Sequence, residues 1–430
     1  MFEFIFNGTG TSSSLPSVNC LTDPNSTCQS CISTLRPEGK KNIRRNTSAI
    51  LRKRISSKSA NKEAVSSGQP CINGTQHLEE GEDRDVVIVI DVGKTFLAGA
   101  LEWFPKYGLR RIDAVLLTHA HADATNGLDD LRTWTLNRAI QDYIDIYTSE
   151  ETFAEIQRAF PYLVTKGFAT GGGDVPEFRW HTIKTGESFS IGGEDSFWIT
   201  PVAVDHGHQF PVKNQPQPMP LNNIPQQSVA LHDAMSRVGT PSGFRDISRS
   251  GAVTPNTSAQ PETSIPLKCF AFVINNTLLY MSDVSHIPDD EWSTILNPPS
   301  RPRAVDATDD NADSSPPKTQ YSAFIVDLLR PVTFVSHFGI DQAVTAARRI
   351  GAHRNYTVGM NHPISHDQWI SIGEYLELGS DSNEAPLQEA LSLVSKGEPL
   401  WMRPAFDGLR LVIPEANEPL AEMVDGYGTA

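Results

Sequence analysis

The chain has no apolar run long enough to cross a bilayer, although its overall hydrophobic content is ordinary for a globular protein. A membrane-spanning protein is therefore excluded from the expected classes. Its N-terminus, Met1-Phe2-Glu3-Phe4-Ile5-Phe6-Asn7-Gly8, has neither a basic leader nor a sustained apolar stretch and runs directly into a glycine turn. It reads as a first β-strand, and a cytoplasmic or nuclear location is expected. Positive charge is scarce: 36 Lys and Arg stand against 51 Asp and Glu, a formal net charge of −15. An extended nucleic-acid surface needs concentrated Lys and Arg, so that class is disfavoured. The short basic cluster Lys40, Lys41, Arg44, Arg45, Arg52, Lys53 and Arg54 reads as a solvated strand margin. Cysteine is also sparse, with five residues, an odd number. Three of them lie close together, which without a secretory leader points to metal rather than to disulfides.

The ordered segments are interrupted by polar tracts. Residues 1–54 hold the first strand, Gly8-Thr9-Gly10-Thr11-Ser12, three cysteines and a second strand around Arg45 to Leu51. Residues 55–85 are polar and Ser/Glu/Gly-rich, and are expected to be a flexible insertion. Residues 86–210 and 267–415 read as two halves of one domain, separated by the Pro/Ser/Gln/Asn-rich insertion 211–266 and followed by a tail, 416–430. A further flexible stretch is expected from Asn297 to Thr319. Within the halves, Val86 to Asp91 and Asp113 to Thr118 are continuous apolar runs suited to strands buried on both faces. Cys269 to Met281 and Tyr321 to Leu329 read as strands, Asp341 to Ile350 as a helix, and Thr357 to Met360 as a last strand. Alternating strands and helices describe a layered α/β domain.

Candidate chemistry gathers at the strand ends. His119 and His121 lie two apart where an apolar strand stops, with Asp123 two further on, so alternate side chains can aim two imidazoles and a carboxylate at one point. A lone H-x-H is more often an ordinary strand-end pair. Here His206, Asp283 and His362 also follow predicted strands, and several strand ends converging make one metal site the better reading. Separately, Cys20, Cys28 and Cys31 form C-x7-C-x2-C, whose thiolates can take three corners of a zinc tetrahedron. A fourth ligand is needed there.

The order H-x-H-x-D, then H-G, then Y-x-S-D, then a late His resembles the metallo-β-lactamase superfamily, over Gly8 to about Ile413 apart from the insertions. The opening Gly8 to Ser12, the cysteines and Asn126 to Arg132 are similar to its phosphoribosyl 1,2-cyclic phosphodiesterase branch and eukaryotic hydrolase relatives. The resemblance implies a four-layer αββα sandwich and a hydrolase of a small phosphodiester. It implies that His119, His121 and His206 hold one metal, that Asp123 and His362 hold a second, and that Asp283 bridges them. It implies a structural zinc on Cys20, Cys28, Cys31 and His366. It also implies that His337 faces the substrate phosphate and gives a proton to the leaving oxygen, while Asp123 orients the nucleophile. Zinc is the expected ion, one or two in the active site and one structural, with Mn²⁺ or Fe as options. One departure stands out: the motif of the superfamily is H-x-H-x-D-H, and Ala124 takes the place of the last histidine. The site is then dinuclear with another group filling the gap, weak for its second metal, or mononuclear. His208 and His286 are candidates to fill the gap; His77, His181, His232 and His353 read as serving no site. Asp129, Asp130 and Arg132 read as a helix-start charge group, and Trp134 as core. The expected partner is a small phosphoester, a homodimer is compatible, and the rival classes are an RNA-processing nuclease, a non-catalytic metal-binding scaffold, and an iron redox protein of the same fold.

Overall fold

The computed structural model describes residues 1–55, 83–165, 175–193, 196–209, 265–301, 321–379, 385–415 and 427. Most of the expected flexible tracts, with His77 and His232, lie outside the described residues. The chain divides into two units, 1–207 with 267–430, and 208–266. Of the second, only the strand-end residues 208–209 and 265–266 are described.

Fourteen strands are described in chain order: β1 (Phe2–Gly8), β2 (Ser48–Ile55), β3 (Arg84–Ile90), β4 (Ala114–Leu116), β5 (Ile144–Thr148), β6 (Phe178–Thr182), β7 (Phe189–Ile191), β8 (Phe197–Gln209), β9 (Ile265–Ile274), β10 (Leu278–Met281), β11 (Ala323–Asp327), β12 (Arg354–Val358), β13 (Met402–Pro404) and β14 (Arg410–Ile413). They form two seven-stranded sheets, ordered β14-β1-β2-β3-β4-β5-β6 and β13-β12-β11-β10-β9-β8-β7. In the first sheet β3, β4, β5 and β6 run parallel. In the second, β10, β11, β12 and β13 do. Parallel strands place successive chain ends on one edge, which is where loops carrying chemistry collect.

The alternation of side chains produces the layers. Along β1, Phe2, Phe4 and Phe6 enter the core between the sheets, whereas Ile5 faces the other way. Along β3, Val86, Ile88 and Ile90 share that central core and Val87 and Val89 the outer one. On the second sheet Ala323 and Ile325 face inward, and Phe324 and Val326 pack beneath the helices Ile340–Ile350 and His366–Leu378. The outer face of the first sheet is covered by the helix Phe96–Tyr107 and by Trp134, a core residue. The architecture is the αββα sandwich. The segment Cys269 to Met281, which reads as one apolar run, is a hairpin between β9 and β10, turned at Asn275 and Asn276, both with positive φ. Asparagine tolerates that conformation better than most residues, and the apolar flanks conceal the turn. Among the described residues, no helix is long and apolar enough to cross a membrane.

Candidate metal centre

β3 and β4 end side by side, and the loops beyond them lock together before the histidines begin. Asp91 has φ +59° and is buried; its carboxylate accepts the backbone N–H of Thr118 (2.9 Å) and the Thr118 hydroxyl (2.8 Å). Because the Thr118 hydroxyl is already a donor, its oxygen accepts from Nδ1 of His119 at 2.8 Å. That fixes the tautomer and leaves Nε2 of His119 with a bare lone pair. Nε2 is buried and has no hydrogen-bond partner. At the end of β8, Nδ1 of His206 donates to the carbonyl of Ser336 at 2.7 Å, which likewise frees its Nε2. Gly207 permits this approach: its φ is +73°, and a Cβ there would stand 3.0 Å from Cβ of Ser336.

The freed atoms converge. Nε2 of His206 lies 3.2 Å from Nδ1 of His121, and Oδ2 of Asp283 lies 3.4 Å from Nε2 of His119 and 3.7 Å from Nε2 of His206. Two ligands bonded at about 2.0–2.1 Å to one tetrahedral ion stand roughly 3.3 Å apart, so this donor set fits a divalent cation. Burial pushes His119 down to about 3 against the pull of Asp283, and burial pushes His121 down as well. Both are neutral at pH 7, the form in which an imidazole ligates.

Beside this group, Nδ1 of His337 donates to Oδ2 of Asp327 at 2.8 Å, and the same oxygen accepts the amides of Val284 (3.3 Å) and Phe338 (3.4 Å). Burial opposes charge on His337, but the adjoining Asp327 carboxylate outweighs it and lifts the imidazole to about 9. Its ring centroid is 4.9 Å from that of His206. Asp327 has room because residue 359 is glycine: at φ +76°, a Cβ there would sit 2.5 Å from Oδ1 of Asp327. Asp123 is placed differently. Its Oδ2 accepts the hydroxyl of Ser12 at 2.6 Å. The methyl of Ala124 is buried next to it.

The late histidines correct the sequence reading. His362, expected beside Asp123, instead groups with the cysteines: its Nδ1 is 3.4 Å from Sγ of Cys20 and 3.3 Å from Sγ of Cys28, and Cys31 completes the cluster. His366, expected as the fourth ligand of those thiols, is buried elsewhere. Its amide donates to Asn42 (2.7 Å), and its ring meets Tyr427 (3.2 Å to the hydroxyl) and Phe406. The reason is Arg44, wholly buried, whose guanidinium donates to the carbonyls of Met360 (3.3 Å), Asn361 (2.7 Å) and Ile364 (3.2 Å). This clamp bends the loop so that His362 faces the thiols, and the helix capped by Ser365 begins before His366 can turn toward them. Burial, with the neighbouring Cys28 thiol, pushes Cys31 up to about 12. Three thiols this crowded ionise together only around a cation.

Among the described residues the other candidates join no group of converging donors. His286 bonds Asp205 (3.0 Å) and His181 bonds Asp145 (2.7 Å). His208 belongs to the second unit. Arg132 pairs with Asp129 at 2.5 Å. Sequence reasoning missed Asp91, Asp327, Ser12 and Arg44. Asp327 left a signal, as a lone acid inside the apolar run Tyr321 to Leu329.

Residues 87–223 match the β-lactamase superfamily domain. Among solved structures, a diphosphatase from the PhnP family is similar with a TM-score of 0.53 at 17% identity, covering 95% of this chain and 96% of that one. The short form of human tRNase Z gives a TM-score of 0.42 at 12% identity, covering 96% and 99%. A curated relative, an octanoyltransferase of Porphyromonas gingivalis, is 27% identical over 154 residues, 33% of this chain and only 29% of the relative's length. The domain match over residues 87–223, the αββα sandwich and the histidine cluster at the strand ends are what the chain has in common with the β-lactamase superfamily.

Proposed function

We propose that the chain is a metal-dependent hydrolase of small phosphodiesters, with zinc at His119, His121, His206 and Asp283 and a structural zinc at Cys20, Cys28, Cys31 and His362. The observation that carries this reading is the juxtaposition of converging histidine nitrogens with His337, bound to the buried Asp327 and packed against them. The PhnP-family protein of similar fold is described as a diphosphatase, an enzyme acting on phosphoryl groups. Imidazole and thiolate donors suit zinc. A divalent cation held there supplies Lewis acidity, generating a nucleophile near neutral pH and neutralising charge on the phosphoryl oxygens. The chain's own groups do the rest. Asp123 orients the attacking water toward phosphorus; as the new P–O bond forms and the old one breaks, the departing oxygen takes the proton of His337. Asp327 holds His337 by Nδ1, so that Nε2 is the atom offered to the leaving group. The net charge of −15 favours a small substrate over a nucleic acid.

The test is hydrolysis of bis(p-nitrophenyl) phosphate, followed by a panel of cyclic and linear phosphodiesters. His119→Ala is expected to lose one equivalent of zinc and to abolish turnover. Unchanged turnover in that variant would refute the assignment.

A further inference from the structure

We infer that the catalytic centre of this chain holds a single ion, and that the Ser12 hydroxyl fixes Asp123 where relatives with a sixth motif residue His would use a second ion. The inference rests on the metal-hydrolase reading above and concerns how that same site is built.

Donors sharing an ion cannot approach closely: at about 2.0–2.1 Å bond length they stand roughly 3.3 Å apart in a tetrahedral site, and about 3.0 Å apart even at the right angles of an octahedral one. The contacts among His119, His121, His206 and Asp283, at 3.2, 3.4 and 3.7 Å, lie near or above these separations. The carboxylates of Asp123 and Asp327 are engaged in hydrogen bonds instead. Oδ2 of Asp123 is 2.6 Å from the Ser12 hydroxyl, and Oδ2 of Asp327 is 2.8 Å from Nδ1 of His337. These pairs share a proton. Asp283, Asp327 and His337 also converge, and there Nδ1 of His337 is bound to the carboxylate of Asp327. Asp123 joins none of the converging donor groups among the described residues. The residue next to it, Ala124, offers only a buried methyl.

Ser12 is held for this task. Its carbonyl accepts Nζ of Lys94 (2.5 Å) and Nδ2 of Asn46 (3.2 Å), and the same Asn46 amide donates to the carbonyl of Thr11 (2.9 Å). Gly10 brings the loop in: its amide donates to Arg45, and a Cβ on it would stand 2.5 Å from the carbonyl oxygen of Arg44. The hydroxyl is thus presented to Asp123 from a fixed backbone. Ser12 is a positioning residue acting through Asp123.

The experiment counts zinc in the purified full-length chain by mass spectrometry and reads the cobalt-substituted protein by electron paramagnetic resonance. The expected result is two zinc ions per chain, one catalytic and one in the thiol cluster, with cobalt signals of isolated ions. Three zinc ions, or a spin-coupled cobalt pair, would overturn the inference while leaving the hydrolase reading intact. A chain with no zinc beyond the thiol cluster and no turnover would overturn the hydrolase reading itself. Ala124→His is expected to raise the count to three; a folded variant that still counts two would overturn the part assigned to Ala124. Should that variant fail to fold, the cobalt spectrum of the unmodified chain decides alone. Ser12→Ala is expected to keep the zinc count and KM but lower kcat about ten- to a hundred-fold, with Ser12→Thr restoring most of it. An unchanged kcat in Ser12→Ala would overturn the role of Ser12.

Discussion

Replacing Arg44 by Met tests what holds the loop carrying His362. The guanidinium is fully buried, and burial lowers it to about 10. Its donors satisfy the carbonyls of Met360 and Ile364, both buried contacts, and that of Asn361, which is partly buried. Methionine fills the volume but donates nothing. Each buried carbonyl left without a donor costs about 1–3 kcal/mol, so two of them cost roughly 2–6 kcal/mol, with a smaller cost at Asn361. Relief from burying a charge offsets part of this, leaving about 3 kcal/mol net. For a chain of 430 residues, with an unfolding entropy of about 2.1 cal/mol/K per residue, that is a fall in Tm of roughly 3–4 °C. Zinc at the thiol cluster should fall with it, because His362 is released, whereas zinc at His119 should remain. Urea melts and metal analysis measure the two effects. A variant within about 1 kcal/mol of the wild type that keeps both ions would refute the clamp. Arg44→Lys should also destabilise, since one ammonium cannot reproduce a fork that spans three carbonyls.

Gly359→Ala places a methyl 2.5 Å from Oδ1 of Asp327 at a φ of +76°; a loss of about 1–2 kcal/mol in stability is expected, with lower kcat as His337 shifts, both readable from melts and steady-state kinetics. Cys28→Ser should lower the melting temperature while the ion at His119 stays, and an unaltered melting curve would argue against a structural zinc. Asp407 is buried and raised to about 7, chiefly by desolvation that its bonds to Arg45 and Thr9 only partly offset. Its folded form therefore binds a proton more tightly than the unfolded chain does, so the stability that Asp407 contributes is fully present at low pH and is lost as pH rises toward 7, by up to about 1.4 kcal/mol per unit. The difference in urea stability between the wild type and Asp407→Asn, measured at pH 5 and pH 7, should show that slope, since the other titrating groups are common to both chains.

The sandwich and most of the centre were legible because both follow from patterns local in the chain. Runs such as Val86 to Asp91 announce buried strands, and His119, His121 and His206 are read from their places at strand ends. The exchange between His362 and His366 was not legible. It depends on a buried arginine more than 300 residues away in sequence, which bends a loop whose composition says nothing about direction. Ser12 was visible only as part of a glycine-rich opening, because its hydrogen bond to Asp123 spans 111 positions. Asp91 and Asp327 sit at the ends of apolar strands, where spacing alone cannot separate a strand terminus from a support for a catalytic side chain.

These supports divide the centre into two parts that differ in what holds them. The His119 ring is tied to Asp91 through Thr118, and the His206 ring to the Ser336 carbonyl. Ser12 and His362 are held together instead. Gly359 donates its amide to the carbonyl of Thr9, Gly10 bridges to Met360, and Arg44 clamps the same loop from beneath. A disturbance at the thiols therefore reaches Ser12, and through it Asp123, before it reaches the histidines. Removal of the structural ion should accordingly appear first as faster amide exchange at residues 9–14 and 359–364 and as a lower kcat, with the catalytic ion still bound. Protection lost equally around residues 117–121 would show that the two parts are one.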